Sequence, residues 1–256
     1  MKKITFIFML LSLLTGCAEK AETSAPIPEK NPATIPTEKL DREWWAERHQ
    51  NIIDNNQSSP HLILVGDSIL HSLDDPSRQQ VWEEYLDQYS ALNLGFSGDR
   101  TENVIWRLQN GEIEGINPKV ALLLIGTNNT DGNHFLSITP PEALAEGIWE
   151  ICSVLRNKLP DTRILLLGIL PYGYTPNFRD VINKETNQII SGFPAKDSYI
   201  HYRDIGPVFL DSESRVDKAL MPDFLHPNTE GHLKMFEALE KDIADLMALS
   251  GAPEDQ

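Results

Sequence analysis

The amino-acid sequence predicts an α/β domain in which helices cover both faces of a parallel β-sheet. Short apolar runs alternate with helical patterns between about residues 41 and 250. Each run is apolar throughout instead of alternating with polar residues, which is typical of strands buried on both sides. Because 256 residues fill one sizeable α/β domain and no internal repeat is visible, we expect a single folded domain.

Five apolar runs are predicted strands, and glycines end the first two. The first run, HLILV, is followed by Gly66, and the second is followed by Gly95. The third run, VALLLI, is the most apolar of the domain, whereas the fifth is the weakest. The predicted strands are 61–65, 91–94, 120–125, 163–170 and 199–202.

Helices are predicted between these strands because apolar residues recur there at helical spacing. Asp41 is the predicted cap of a helix that carries Trp44 and Trp45, and Thr101 is the predicted cap of another. Pro160 is expected to close a long helix just after its last apolar residue. The other predicted limits are 76–89, 141–159, 179–191 and 228–248 for helices, and 251–256 for a frayed end.

Composition excludes some classes of partner. The formal net charge is −16, which argues against a nucleic-acid partner because phosphate binding needs a concentrated basic surface. It argues less strongly against a highly acidic polymer as the substrate. Of the two cysteines, Cys152 lies in an apolar helical pattern and is a predicted core residue. We expect no disulfide with Cys17, because Cys17 has another predicted role.

The first 16 residues have the pattern of an export signal. Lys2 and Lys3 precede an apolar stretch of 11 residues, 4–14, which is too short to span a bilayer permanently. The stretch ends in Leu14-Thr15-Gly16-Cys17, which resembles the bacterial lipobox. That resemblance implies cleavage before Cys17 and attachment of lipid to its thiol. The alternatives are an ordinary signal peptide or a buried N-terminal helix.

Residues 17–40 are predicted to be the lipidated cysteine and a flexible tether. They are rich in Pro, Glu, Thr, Ala and Lys and show no apolar period. A lipid-anchored, exported bacterial protein is therefore expected to meet the membrane through its N-terminus. By the resemblance to lipoproteins, Ala18 after the cysteine favours the outer membrane over the inner one. The folded domain is predicted to span 41–250.

Four short segments along the chain carry residues suited to ester hydrolysis. They are Gly66-Asp67-Ser68, Gly98-Asp99, Gly126-Thr127-Asn128 and Asp223-Phe224-Leu225-His226. The first three follow predicted strands, and the last precedes the final helix. Because ligands of open parallel sheets bind beyond the carboxyl ends of the strands, we expect all four segments to meet at one edge.

The residue types define a role for each segment. Ser68 is the predicted nucleophile, His226 the base and Asp223 the acid that orients the imidazole. The Ser68 amide, the Gly98 amide and the Asn128 side chain are the predicted oxyanion hole. Taken singly, Gly66-Asp67-Ser68 could be a plain turn capped by its polar residues. The alternative for Asp223 is that it caps a short turn and leaves His226 with another partner.

Three further residues are candidates for lining the pocket: Asp67, Arg100 and His134. Asp67 has a second interpretation, since its carboxylate could accept backbone amides and shape the turn before Ser68. His71 lies near Ser68 in sequence and is a weaker candidate of the same kind. The spacing of His, Asp and Glu predicts no metal site.

At these residues the chain resembles a known superfamily. The set Ser68, Gly98, Asn128 and His226 resembles the signature of the SGNH (GDSL-type) hydrolases. Five stretches are similar, more particularly, to the catalytic subunits of intracellular platelet-activating factor acetylhydrolase: 92–101, 106–108, 110–112, 126–129 and 223–226. The resemblance implies a flavodoxin-like, three-layer α/β/α fold with strand order 2-1-3-4-5. It also implies hydrolysis of small acyl esters without metal or cofactor, and relatives of this branch form dimers, so a homodimer is expected.

Two positions depart from the commoner superfamily pattern. Asn129 stands where Asp usually follows the signature asparagine, as in the acetylhydrolase branch. Ile69 follows Gly-Asp-Ser in place of a longer lipase-like block, which disfavours long-chain lipids.

The resulting prediction is a serine esterase that removes short acyl groups, above all acetyl groups. The resemblance implies an acetylated sugar as its substrate, because carbohydrate O-acetyl groups are common substrates of bacterial relatives of this type. Within the enzyme class, the alternatives are a phospholipid acetyl esterase and a broad arylesterase or thioesterase. From another class, the alternative is a non-catalytic carbohydrate-binding lipoprotein on the same fold.

Overall fold

A computed structural model describes residues 30–55, 59–135, 137–174 and 177–249 of the chain. Its centre is one sheet of five strands in the order β2-β1-β3-β4-β5, and every neighbouring pair is parallel. This confirms the predicted three-layer α/β/α fold and the strand order. The strands are β1 Leu62–Gly66, β2 Leu92–Gly95, β3 Val120–Leu124, β4 Arg163–Leu167 and β5 Ile200–Arg203.

The apolar runs are explained by two hydrophobic cores, one on each face of the sheet. On β1, Ile63 and Val65 pack into one core, whereas Leu62 and Leu64 pack into the other, and all four are fully buried. Successive side chains of a strand point to opposite faces, so a central strand needs apolar residues at every position.

The helices cover both faces, as the pattern predicts. Helices α1, α4, α5 and α6 contribute to the core that contains Ile63, and α2, α3 and α7 contribute to the core that contains Leu64. The helices are α1 Glu43–Asn55, α2 Ser68–His71, α3 Gln79–Val81, α4 Thr101–Gln109, α5 Pro141–Lys158, α6 Phe178–Ile190 and α7 Thr229–Leu249. None of the helices in the described ranges is both long and apolar enough to cross a bilayer.

The predicted helix over 76–89 is wrong in detail, because the segment is a series of short turns. A 3-10 turn, α3, a π-helical turn at Trp82–Leu86 and a second 3-10 turn follow one another. Val81 and Leu86 are both fully buried although they are five residues apart. A π-helical turn closes i to i+5 bonds and brings such a pair to one face, which a regular α-helix does not.

Two predicted helix starts also differ from the structure. Helix α1 begins at Glu43 and not directly after Asp41. Thr101 is the first residue of α4 instead of its cap, because the cap position falls on Arg100, whose amide donates to Asn103 Oδ1 (3.0 Å).

The folded domain begins earlier than the predicted residue 41. Ala33 is fully buried, and its carbonyl accepts a hydrogen bond from the Thr101 hydroxyl (2.8 Å). Asn31 donates to the Ala143 carbonyl (2.7 Å). Residues 30–40 therefore form a strap across the start of α4 and α5, and the predicted tether to residue 40 is wrong for this part. The predicted signal peptide, Cys17 and the frayed end at 251–256 lie outside the described residues.

Candidate active site

The predicted nucleophile lies at the junction of the first strand and a one-turn helix. β1 ends at Gly66 and α2 begins at Ser68, so the hydroxyl lies at the carboxyl edge of the sheet. A Cβ at position 66 would lie 2.2 Å from the Leu124 carbonyl oxygen, so only glycine fits there. The Asp67 carboxylate accepts a hydrogen bond from the Ile69 amide (3.0 Å), which fixes the turn that presents Ser68.

Two hydrogen bonds join the predicted nucleophile, base and orienting acid. Ser68 Oγ lies 2.9 Å from His226 Nε2, and His226 Nδ1 lies 2.6 Å from Asp223 Oδ2. Ser68 and His226 are 158 residues apart in the chain, so only the fold brings them together. In this geometry the imidazole can take the hydroxyl proton while the carboxylate holds its other nitrogen.

The loop before α7 orients the histidine with both backbone and side-chain bonds. Asp223 Oδ1 accepts hydrogen bonds from the amides of Leu225 (3.1 Å) and His226 (2.8 Å). Phe224, between Asp223 and Leu225, makes the tight turn with a φ of 61°. Burial raises the pKa of Asp223, but the hydrogen bonds from the His226 ring and amide outweigh it, and the net shift is downward. Asp223 is therefore ionised at neutral pH, as an orienting acid must be.

Asp67 lies beneath the site instead of lining it, since only 1% of its surface is exposed. Its Oδ2 has no hydrogen-bond partner among the described residues. Burial raises the pKa of this carboxyl to about 7. The structure thus supports its interpretation as the residue that shapes the turn.

Three hydrogen-bond donors follow the ends of β1, β2 and β3, as predicted for the oxyanion hole. Within the described residues, the amides of Ser68 and Gly98 have no acceptor. Gly98 has a φ of 75°, a left-handed conformation that favours glycine. Asn128 Nδ2 uses one hydrogen on the Asp99 carbonyl (2.9 Å), which holds the side-chain amide in place and leaves its second hydrogen for a ligand.

A network of buried charges holds the loop that carries Gly98. Asp99 is fully buried, and its two oxygens bind Trp45 Nε1 (2.9 Å) and Arg107 Nε (2.7 Å). Lys39 Nζ donates to the Gly98 carbonyl (2.7 Å) and lies 3.2 Å from Asp99 Oδ1. Burial lowers the pKa of Lys39, and the Asp99 carboxylate opposes that shift. The strap thus contributes a cation directly to the loop.

The network continues inward from Arg107. Its guanidinium pairs with Glu112, donates to the Leu94 carbonyl (3.1 Å) and lies 3.9 Å from the centre of the Phe96 ring. Glu112 in turn accepts from His49 Nδ1 (2.8 Å). Sequence reasoning assigned no role to these charged residues. The available signal was that Asp99, Arg107 and Glu112 all fall within segments resembling the acetylhydrolase branch.

The other predicted pocket residues face elsewhere. Arg100 donates to the Ser137 carbonyl (2.9 Å) and the Thr139 hydroxyl (3.0 Å), so it supports the loop that leads into α5. The His134 side chain is 79% exposed and pairs with Asp131 (2.7 Å). Neither residue bonds to the Ser68 cluster.

Asn129 has a structural reason for replacing the commoner Asp. Its Oδ1 accepts a hydrogen bond from the Thr101 amide (3.0 Å), and its Nδ2 donates to the Thr101 hydroxyl (3.0 Å) and to Glu102 (3.2 Å). An ionised Asp could make only the first of these bonds and would repel Glu102. The Asn amide therefore joins the loop after β3 to the start of α4.

No three His, Cys, Asp or Glu side chains in the described ranges are grouped so that they could hold a metal ion. The chemistry available at this site is that of a hydroxyl, an imidazole, a carboxylate and amide donors.

Comparisons with known proteins identify relatives of the chain. Residues 64–234 match the model of the GDSL-like Lipase/Acylhydrolase family. The chain is 31% identical over 232 residues to the human platelet-activating factor acetylhydrolase IB subunit alpha1, covering 88% of this chain and 96% of that one. It is 32% identical over 232 residues to the rat alpha2 subunit, covering 89% and 96%.

Solved structures share the fold at lower identity. A GDSL-like lipase from Bacteroides thetaiotaomicron superimposes with a TM-score of 0.63 at 13% identity, covering 79% of this chain and 97% of that one. A carbohydrate acetylesterase from Sinorhizobium meliloti superimposes with a TM-score of 0.55 at 16% identity, covering 72% and 98%.

Proposed function

The chain belongs to the GDSL-like lipase/acylhydrolase family and is an ester-hydrolysing enzyme, and we propose that it cleaves acetyl esters through an acyl-enzyme on Ser68. The observation that carries the proposal is the pair of hydrogen bonds from Ser68 to His226 (2.9 Å) and from His226 to Asp223 (2.6 Å). The family match also confirms the resemblance found in the sequence.

The first half of the reaction forms the acyl-enzyme. Ser68 Oγ attacks the ester carbonyl carbon while His226 Nε2 takes the hydroxyl proton, and Asp223 stabilises the resulting imidazolium. The negative charge that develops on the carbonyl oxygen is bound by the amides of Ser68 and Gly98 and by Asn128 Nδ2. His226 then gives its proton to the leaving alcohol, and the bond between carbonyl carbon and alcohol oxygen breaks.

The second half reverses these roles with water. His226 takes a proton from a water molecule as its oxygen attacks the acyl carbon, and the same donors bind the new oxyanion. Collapse of this intermediate returns the proton to Ser68 Oγ and releases the carboxylic acid.

A chain-length series tests both the nucleophile and the size of the acyl group. Hydrolysis of p-nitrophenyl acetate should fall about 10⁴-fold or more in Ser68→Ala, because no acyl-enzyme can form. In the wild type, kcat/KM should fall steeply from the acetyl to the octanoyl ester. Full activity of Ser68→Ala would overturn the mechanism, and a flat or rising profile would overturn the acetyl assignment.

For the alcohol half of the substrate we propose an O-acetylated carbohydrate. This assignment is supported by the name of the Sinorhizobium meliloti structure. A second candidate, an acetylated phospholipid, is favoured by the names of the 31–32% identical relatives. Acetate release from acetylated xylan, acetylated sialic acid and platelet-activating factor, measured side by side, separates the two.

We also propose that the chain is an exported lipoprotein, anchored through Cys17 and directed to the outer membrane. The proposal is supported by the sequence Leu14-Thr15-Gly16-Cys17 after an apolar stretch and by Ala18. A fatty-acid analogue fed to expressing bacteria should label the wild type and not Cys17→Ser. Absence of label on the wild type would contradict the anchor, and fractionation of the two membranes tests the destination.

A further inference from the structure

We propose that a groove between α1 and the edge strand β2 binds the glycan chain of the substrate as a subsite beside the catalytic centre. The inference rests on the proposed carbohydrate substrate and adds the place where its chain lies. The groove encloses about 510 Å³, within the range of ligand pockets. We name it the α1–β2 groove; the lining residues that carry the argument are Trp44, Glu47, Arg48, Asn51, His71, Asp74 and Trp82.

One residue links the groove to the catalytic site: His71 lines the groove and belongs to the single turn of α2. Ser68 is the first residue of that turn and His71 is the last. Residues at i and i+3 lie on the same side of a helix, with Cβ atoms about 5–6 Å apart. His71 Nδ1 also bonds the Ser97 hydroxyl (2.9 Å), directly before Gly98. The proposal therefore places the ester at Ser68 and the rest of the glycan chain past His71 in the groove.

The aromatic lining suits the apolar face of a sugar ring. Trp44 stacks on His71 with ring centres 5.8 Å apart and is 41% exposed, so much of its indole faces solvent. Trp82 donates its Nε1 hydrogen to the Leu73 carbonyl (2.7 Å), which satisfies its polar edge. Its indole is partly buried and packs against the core, and its remaining surface lines the groove.

The polar lining suits hydroxyl groups. Glu47 and Asn51 line the groove, and their side chains have no partner within the described residues. A carboxylate accepts from hydroxyl groups, and a side-chain amide both donates to them and accepts from them. Aromatic faces next to free hydrogen-bonding groups form a lining that a purely apolar acyl chain would not use.

The charges of the groove favour a neutral ligand. Among the described residues that line it, Arg48 is the one Lys or Arg side chain. It pairs with Asp74 (2.7 Å) and donates to the Gly95 carbonyl (2.9 Å), so these donors are already engaged. Burial, with a contribution from Arg48, lowers the pKa of His71, which keeps that ring uncharged at neutral pH. The unpaired carboxylate of Glu47 repels anions. Phosphate headgroups and acidic polymers are therefore poor occupants compared with a neutral glycan.

Chain-length dependence on acetylated neutral glycans tests the groove. The substrates are p-nitrophenyl acetate and two acetylated series: xylose, xylobiose and xylotetraose, and the matching glucose compounds. Each is assayed with the wild type, Trp82→Ala, Asn51→Ala and the control Trp149→Ala. Trp149 is a partly buried indole on α5, away from the groove. In the glycan series that the wild type hydrolyses faster, its kcat/KM should rise with glycan length. For the longest glycan of that series, kcat/KM of Trp82→Ala should be about tenfold lower than that of the wild type. Trp82→Ala should lower the glycan rate more than the p-nitrophenyl acetate rate, whereas Trp149→Ala should not discriminate between the two substrates. Both variants remove a ring that packs on a core, so their melting temperatures are compared with each other.

Binding provides a readout that does not depend on turnover. Ser68→Ala should bind unacetylated xylotetraose or cellotetraose by calorimetry, and Ser68→Ala combined with Trp82→Ala should bind about tenfold more weakly. If no acetylated glycan is hydrolysed while p-nitrophenyl acetate is, the carbohydrate assignment of the proposed function fails. If glycans are hydrolysed without chain-length dependence, or Trp82→Ala behaves like Trp149→Ala, the groove proposal alone fails. Loss of a solution dimer in Trp82→Ala would assign the groove to a second copy of the chain and overturn it as well.

Discussion

The two halves of the site are held in place by different means. The loop that carries His226 is exposed and is held by local bonds. The side chains of His226 and Asp223 are 38% and 57% exposed, and three hydrogen bonds within four residues fix them. The loop that carries Gly98 is anchored by long-range charges, since Asp99 and Arg107 are both fully buried. We refer to these as the histidine loop and the oxyanion loop.

The difference follows from what each half is proposed to do. The imidazole exchanges protons with serine, alcohol and water, so it needs solvent and a charged neighbour that is always ionised. The oxyanion donors exchange nothing, and their value depends on being fixed before charge develops. Fixed positions require tertiary anchoring, and here the anchor is also part of the core. Changes in the histidine loop should therefore affect the rate, whereas changes behind the oxyanion loop should affect rate and stability together.

Removing the imidazole should give the largest loss of activity with little loss of stability. His226→Ala should lower kcat for p-nitrophenyl acetate about 10⁵-fold or more, because the serine loses its base. The melting temperature should change little, since the side chain is partly exposed and bonded locally. Steady-state kinetics and calorimetry of the same preparation check both halves of the statement. A large drop in the melting temperature of this variant would contradict the proposed difference between the two loops.

Breaking the buried network should lower stability as well as rate. Arg107→Met removes the cation that Asp99 and Glu112 share and leaves Lys39 as the other cation beside Asp99, which should cost about 3–5 kcal/mol of unfolding free energy. Urea unfolding measures this loss, and Lys241→Met, which breaks an exposed ion pair with Asp245, is the control. The control should unfold at nearly the wild-type urea concentration. Equal midpoints for the two variants would show that the network does not stabilise the fold.

Removing the side-chain donor Asn128, which bonds the Asp99 carbonyl of the oxyanion loop, tests the oxyanion hole itself. Asn128→Ala should lower kcat about 10²–10³-fold with a smaller change in KM, since the amide acts mainly on the developing charge. Asn128→Asp should be no better, because a carboxylate cannot donate. A variant with unchanged kcat and raised KM would place Asn128 in substrate binding instead.

The smallest effect is expected from the strap. Lys39→Met removes the cation that binds the Gly98 carbonyl, and we expect kcat to fall about tenfold with KM little changed, as a hydrogen bond to a charged donor is lost. Lys39→Arg, which keeps the charge, should recover most of that loss. If both variants lose activity equally, the length of the side chain matters and the charge does not.

Local signals explain which parts the sequence could predict. Ser68, Gly98, Asn128 and His226 each lie in a short motif next to a strand or helix end, so strand pattern and sheet topology were enough to bring them together. Lys39 and Arg107 are individually unremarkable charges 68 residues apart. Their partnership through Asp99 depends on tertiary packing that no local pattern records.

Two errors have the same origin. Residues 30–40 have the composition of a linker, yet one small residue, Ala33, is buried, and a few backbone bonds tie the strap to the domain. The segment at Pro76–Tyr89 has enough apolar residues for a helix, but its buried pair Val81 and Leu86 is spaced for a π-helical turn. In both cases tertiary contacts outweigh composition and average periodicity.

Covalent labelling of the nucleophile tests the central claim most directly. The enzyme is incubated with a p-nitrophenyl phosphonate ester, which a serine activated by a base attacks at phosphorus with release of p-nitrophenol, and the labelled peptide is identified by mass spectrometry. The account predicts one label on Ser68 in the wild type, labelling at a greatly reduced rate in His226→Ala, and none in Ser68→Ala. Stoichiometric labelling of another residue, or equal labelling rates with and without His226, would contradict it.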